Sequence, residues 1–259
     1  MIHSLSLLRI GILTTMSAAL RDILGIVASY VFVFGFIGIA TILMRRGVLA
    51  PVITRKVIHI GVAHWWLIAM ALMDDPWVAS VGPASFIVIN ALAIRFRLLP
   101  AMDEGADARN WGTVYFPISL LILVNLCWRA VVPVWVGGLA VLVLGWGDGL
   151  AAIVGEGRVG RSLRIWGRTR LRRRGTIRRV RRRGRKSIAG TAVMFGASFA
   201  VTLSFTLVFN PRFGTPGAAI GVSALTASAA TVVEALTPLG IDNLTVPLAT
   251  ALLYAGFFA

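Results

Sequence analysis

Eight stretches of this chain are apolar over about the length needed to cross a lipid bilayer. They follow one another almost from end to end. They lie near Ile23–Leu43, Val57–Met73, Trp77–Ile94, Val114–Trp128, Val131–Val154, Ile188–Phe209, Pro216–Val233 and Leu244–Phe258. A helix rises 1.5 Å per residue, so about 20 apolar residues cross a hydrocarbon core of ~30 Å. No strand alternation is visible, so the sequence predicts an all-α, polytopic integral membrane protein with about eight transmembrane helices. Only 14% of the 259 residues are charged. A soluble domain carries roughly 25%, which leaves no room here for a large soluble domain. Val114–Trp128 is short and contains Pro117, so a tilt or a break is expected there. Residues 1–22 are apolar but carry Arg9 and end at Arg21-Asp22, with no small-residue cleavage site. They are expected to remain as an interfacial helix or a short span. Residues 23–259 form the multi-pass domain. The single Cys127 excludes a disulfide within the chain.

Charge is distributed by loop. The connections holding Arg45, Arg46, Arg55 and Lys56, then Arg95, Arg97 and Arg109, then residues 156–187, are basic. The intervening connection Asp74-Asp75-Pro76 is acidic and tight. Alternating basic loops point to the cytoplasm. The 156–187 loop alone holds fourteen arginines and Lys186, and the net charge is +16. Such a loop is expected at anionic lipid headgroups, at ~1 kcal/mol per charge. No nucleic-acid role is expected, since Trp166 is the only aromatic residue in the arginine run.

The polar motifs sort to the same predicted face. Asp148 interrupts the apolar run Gly145-Trp146-Gly147-Asp148-Gly149-Leu150-Ala151-Ala152-Ile153-Val154-Gly155. A carboxylate at mid-bilayer costs roughly 2.5–3.5 kcal/mol, so intramembrane acids are usually functional. Gly147 and Gly149 let the backbone bend, let a ligand approach, or serve as a helix-packing face. Lys186-Ser187-Ile188-Ala189-Gly190-Thr191 opens the next helix, with Ser187 as N-cap. A helix N-terminus offers free N–H groups and partial positive charge to a phosphate. Glu234 and Asp242 bracket a turn at Pro238 and Gly240. Together with Asp148 they are hard oxygen ligands of the kind that suits Mg²⁺ on a nucleotide. Lys56 and His59 are three apart and share a helical face. Asn110 and Tyr115, near the start of the fourth segment, are candidate contacts for a base or a headgroup. Of 26 basic residues only Lys56 and Lys186 are lysine, and each opens one of these motifs.

In order, Arg55-Lys56-Val57-Ile58-His59-Ile60, Gly112-Thr113-Val114-Tyr115, Gly147-Asp148-Gly149-Leu150-Ala151-Ala152, Lys186-Ser187-Ile188-Ala189-Gly190-Thr191, Glu234-Ala235-Leu236 and Asp242-Asn243-Leu244-Thr245-Val246-Pro247 resemble the polyprenol kinase family. That family includes phytol kinase, dolichol kinase and CTP-dependent diacylglycerol kinase. The resemblance runs from about Arg55 to the C-terminus and is closest to phytol kinase-like members. It implies a membrane enzyme that moves a phosphoryl group from a nucleotide, often CTP, to a lipid alcohol such as phytol, geranylgeraniol or dolichol, with a divalent metal. Carried over by motif, Asp148, Lys186, Ser187 and Gly190 belong to the nucleotide site. Gly147, Gly149, Gly155, Gly160, Thr191 and Asn243 are expected around it, and Tyr115 and Asn110 near the acceptor. Asp148, Asp242 and Glu234 would hold Mg²⁺. Lys186 and Ser187 would bind the terminal phosphates, and Lys56 would neutralise developing charge. His59 or a carboxylate would act as base. The arginine insertion before Lys186 is longer than the resemblance leads one to expect, and Glu156 stands where a basic residue is common. A cytidylyltransferase making a CDP-lipid would use the same groups. A transporter would show inverted repeats and mid-depth charges, and the sequence has neither.

Overall fold

The computed structural model describes residues 15–96, 111–156, 187–210, 215–237 and 240–257. These form helices α1 (Ala18–Arg45), α2 (Pro51–Ala63), α3 (Trp65–Leu72), α4 (Pro76–Phe96), α5 (Gly112–Trp128), α6 (Val134–Glu156), α7 (Ile188–Phe209), α8 (Pro216–Leu236) and α9 (Asp242–Ala255), with no strand among the described residues. The second apolar segment is split into α2 and α3, so the nine helices correspond to eight apolar segments. Among the described residues, five helices are long and apolar enough to cross a membrane, and α5 is a shorter apolar helix. α1 starts at Ala18, capped by Ser17, and so takes in the last residues of the predicted N-terminal element.

The break comes at His64, not at Pro117. His64 N–H donates to Gly61 O rather than one residue further back, which tightens the turn. The Ile60 carbonyl left over is bonded by His64 Nδ1 at 2.9 Å. Trp146 Nε1 donates to His64 Nε2 at 3.2 Å and fixes the ring from the far side. α5, by contrast, runs unbroken through Pro117. Proline removes the N–H that would have bonded the Thr113 carbonyl. Asn90 Nδ2 of α4 donates to that carbonyl instead, at 2.7 Å.

α6 is the centre of the bundle. About 78% of its apolar window is buried, against 22% for α1 and 17% for α4. Val136, Leu139, Val143 and Leu144 are fully enclosed, with Trp66 of α3 beside them. The outer helices turn Ile23, Val31, Trp77, Val88, Leu207 and Leu252 outward. In water such a surface would be an aggregation hazard, whereas in a bilayer it is the solvated face.

Contacts between Asn90 and Thr113, Lys56 and Asp148, and Gly155 and Gly190, with the meeting of Asp148, Glu234 and Asp242, bring the ends of α4, α6 and α8 and the starts of α2, α5, α7 and α9 to one end of the bundle. At the opposite end, the Arg21 side chain on α1 pairs with Asp74, with Nε at 3.0 Å from Oδ2. Asp22 accepts the Asp74 N–H at 2.8 Å. These contacts pin α1 to the turn between α3 and α4.

Candidate active site

α6 enters the first end of the bundle carrying Asp148, two turns before its C-terminus. α8 ends there with Glu234, and Gly240, in the left-handed region at φ 81, turns the chain so that α9 begins with Asp242. One carboxylate oxygen from each of Asp148, Glu234 and Asp242 lies within 4.8 Å of the others. Glu234 is only 4% exposed. Asn243 orients its neighbour: its backbone N–H donates to Asp242 Oδ1 at 3.0 Å, and its side-chain amide donates to the same oxygen and to Gly240 O.

α2 approaches from the other side. Lys56 Nζ donates to Asp148 Oδ2 at 3.1 Å, and His59 Nε2 stands 3.7 Å from the same oxygen. The shared face expected from their three-residue spacing therefore points at Asp148. The His59 ring also bonds the Leu144 backbone. Nε2 is left buried, with no hydrogen-bond partner among the described residues.

Three carboxylates so close repel one another by about 4 kcal/mol per pair at an effective dielectric of 20. Lys56 offsets part of this, and Arg55 lines the same end of the cavity. The donor set of the three acids is all oxygen, which fits a divalent hard cation shared with phosphate oxygens.

The glycines occupy helix contacts. A β-carbon at Gly147 would lie 2.5 Å from Met194 Sδ and 2.9 Å from Ser198 Oγ of α7, and one at Gly149 would collide with Ile60 of α2. Close approach at these two positions is helix against helix, the packing alternative. Further along, Gly155 and Gly190 bring the end of α6 against the start of α7, where a Gly190 β-carbon would lie 3.0 Å from Ala151 O. Ser187 caps α7, its Oγ accepting the Gly190 N–H at 3.0 Å. Thr191 sits in that first turn and donates its N–H to Ser187 O. Lys186, Gly160, Asn110 and the arginine run lie outside the described residues.

Beside Asp148 a cavity with an empty volume of about 920 Å³, including its open mouth, runs between α2 and α5, with α1 and α4 as its other walls. Arg55, Lys56, His59, Asp148 and Asn243 line it at the carboxylate end. Thr113 and Phe116 line it from α5, whereas Tyr115 on the same helix does not. Asn90 also lines it. Sequence reasoning missed Asn90, although a lone amide inside an apolar span was the available signal.

No family model matches the sequence, and no solved structure matches it. A phytol kinase from Synechocystis sp. is 34% identical over 236 residues, spanning 90% of this chain and 91% of that protein.

Proposed function

Since the chain belongs to the polyprenol and phytol kinase family, a group of lipid-alcohol kinases, we propose that it transfers the γ-phosphoryl group of a nucleoside triphosphate to a membrane isoprenoid alcohol such as phytol or geranylgeraniol. CTP is the proposed donor. The observation that carries this reading is the meeting of Asp148, Glu234 and Asp242, with Asp148 paired to Lys56 and lining an apolar cavity. A soluble triphosphate and a membrane alcohol need just such a boundary.

Phosphoryl transfer needs positioning and charge neutralisation more than covalent chemistry from the protein. Asp148, Glu234 and Asp242 would hold Mg²⁺, which when bound supplies positive charge to the triphosphate. The N-terminus of α7, with its Ser187 cap, offers N–H groups to the phosphates, and Lys186 is assigned there with it. Lys56 faces the reacting region from α2 and stabilises charge from the acceptor side. His59 is the base of choice: its ring lines the cavity and is held by the Leu144 bond. The alcohol oxygen forms a bond to the γ-phosphorus, the bridging P–O bond breaks, and the proton passes to His59. The products are a nucleoside diphosphate and a prenyl monophosphate.

The site-bearing end of the bundle is proposed to face the cytoplasm, where nucleotides are, with the arginine run against anionic headgroups. Cys127 is the only native cysteine and is buried. A Val48→Cys variant adds an exposed thiol at the site end, and labelling from the cytoplasmic side alone is expected.

The deciding assay uses membranes containing the protein, γ-labelled CTP or ATP, and phytol, geranylgeraniol, dolichol or diacylglycerol. Metal-dependent label in a lipid monophosphate is expected. Pyrophosphate with a CDP-lipid would identify a cytidylyltransferase instead, and no labelled lipid from any acceptor would overturn the reading.

A further inference from the structure

The cavity beside Asp148 is closed at depth by Trp65 and Gly82. From Lys56 on α2 to Trp65 at the start of α3, and from Asn90 to Gly82 along α4, the walls run roughly 12–14 Å at about 1.5 Å per residue. This carries the cavity to about the middle of a ~30 Å hydrocarbon core. Its polarity is graded. Lys56, His59 and Asp148 lie at the mouth, while Ile58, Phe86, Phe116 and Leu120 line the body. The floor is rigid: Trp65 is 4% exposed, its Nε1 donates to Ser29 Oγ at 2.8 Å, and Ser29 Oγ donates in turn to Gly25 O at 2.6 Å.

Gly82 is the one wall position at the floor that lacks a side chain. A β-carbon there would lie 3.5 Å from Trp65 Cζ2, at ordinary contact distance, with no closer neighbour. Gly82 lines the cavity, so a larger side chain there, beside the indole, would take up cavity space. A glycine squeezed by helix packing behaves otherwise, as Gly61 shows: a β-carbon there would collide with Phe36.

We propose that this cavity holds the isoprenoid tail of the acceptor alcohol, and that Gly82, lying against Trp65, sets the tail length the enzyme accepts. The proposal rests on the lipid-alcohol kinase reading and adds to it the tail site and its gauge. The occupant follows from continuity. Asp148 and His59 line one end of the cavity, so a chain lying in it can present its terminal hydroxyl to them. An isoprenoid alcohol, an apolar chain with one hydroxyl at its end, matches that arrangement.

The test measures transfer to farnesol and to geranylgeraniol by wild-type protein, Gly82→Ala and Gly82→Leu in matched membranes. Gly82→Ala is expected to fall between wild type and Gly82→Leu in its ratio of geranylgeraniol to farnesol kcat/KM. Gly82→Leu is expected to lose at least tenfold in kcat/KM with geranylgeraniol while keeping farnesol within about threefold, a ratio that a general folding defect would not produce. Equal losses on both alcohols, or no loss on either, overturn the gauge. Wild-type protein inactive on every prenol sinks the kinase reading itself, which is a separate result. An independent readout covers a Gly82→Leu variant that does not fold. Wild-type protein is irradiated with a prenol carrying a diazirine at its tail end, and cross-links are expected on α3 and α4. Cross-links confined to α7, α8 or α9 would overturn the tail site.

Discussion

Both ends of this bundle carry charged side chains at helix termini, and they treat them in opposite ways. At the end where α1 begins, acids meet donors: Arg21 binds Asp74, Asp22 accepts the Asp74 N–H, and Asp75 Oδ1 accepts the Trp77 and Val78 N–H groups. At the other end, three carboxylates turn toward one another with Lys56 between them and α2. Charges that satisfy backbone and partner hold a fold together. Acids brought from three helices to one point, beside Lys56 and a cavity, form the kind of arrangement that holds a ligand. The difference separates structure from function without reference to any relative.

The comparison breaks first at Asp148. Asp148→Asn keeps the shape and removes the charge, so transfer is expected to fall by about 10³-fold or more, roughly 4 kcal/mol of barrier. Thermal unfolding in detergent should hardly change. Retained activity would remove Asp148 from the site. Lys56→Met comes next. Loss of about 10–100-fold in kcat is expected, with Lys56→Arg recovering only part, since a planar guanidinium cannot occupy the compact ammonium's place at Asp148. Full activity in Lys56→Arg would mean that only the charge is used.

The opposite end should respond in the opposite sense. Arg21→Met removes the ion pair and hydrogen bonds to Asp74, which is partly buried with 29% side-chain exposure, and is expected to cost about 1–3 kcal/mol of stability. Once the protein is folded, kcat and KM should match wild type. A kcat that fell with stability intact would contradict the division between the ends.

What the sequence made legible follows the same division. The spans could be read because apolar length is a one-dimensional property. The carboxylates could be read because acids are so rare in this chain that Asp148, Glu234 and Asp242 stood out, and their convergence needed only that three helix ends share a face. Lys56 and His59 followed from their helical spacing. The features that escaped notice depend on partners distant in the chain. Pro117 signalled a break, but Asn90 of α4 takes the stranded Thr113 carbonyl and the helix continues. His64 gave no such signal, yet the chain breaks there because its ring bonds Ile60 O and receives Trp146. Gly147 and Gly149 read equally well as ligand approach or packing, and only the positions of Met194 and Ile60 decide between them. The cavity is a gap between α2 and α5, and no local pattern encodes a gap.

The smallest effect tests the division most finely, because it uses one chemical change at both ends. Ser187 caps α7 at the site end, accepting Gly190 N–H at 3.0 Å, and Thr215 caps α8 at the opposite end, accepting Ala218 N–H at 3.3 Å. Alanine at either cap should cost helix stability of about 1 kcal/mol. Both serve folding as N-caps, Ser187 buried and Thr215 exposed. They differ in what lies in front of the helix: the α7 N-terminus stands beside the end of α6, against Gly155, on the carboxylate side of the bundle. Without its cap, the first turn of α7 holds its N–H groups less firmly toward a triphosphate. Ser187→Ala should therefore raise the nucleotide KM about three- to tenfold with the alcohol KM unchanged, and Thr215→Ala should leave both unchanged. Steady-state titration of each substrate against each variant reads this directly. Equal KM values in the two variants would move the phosphates away from α7, and the α7 N-terminus would then be an ordinary capped helix end like that of α8.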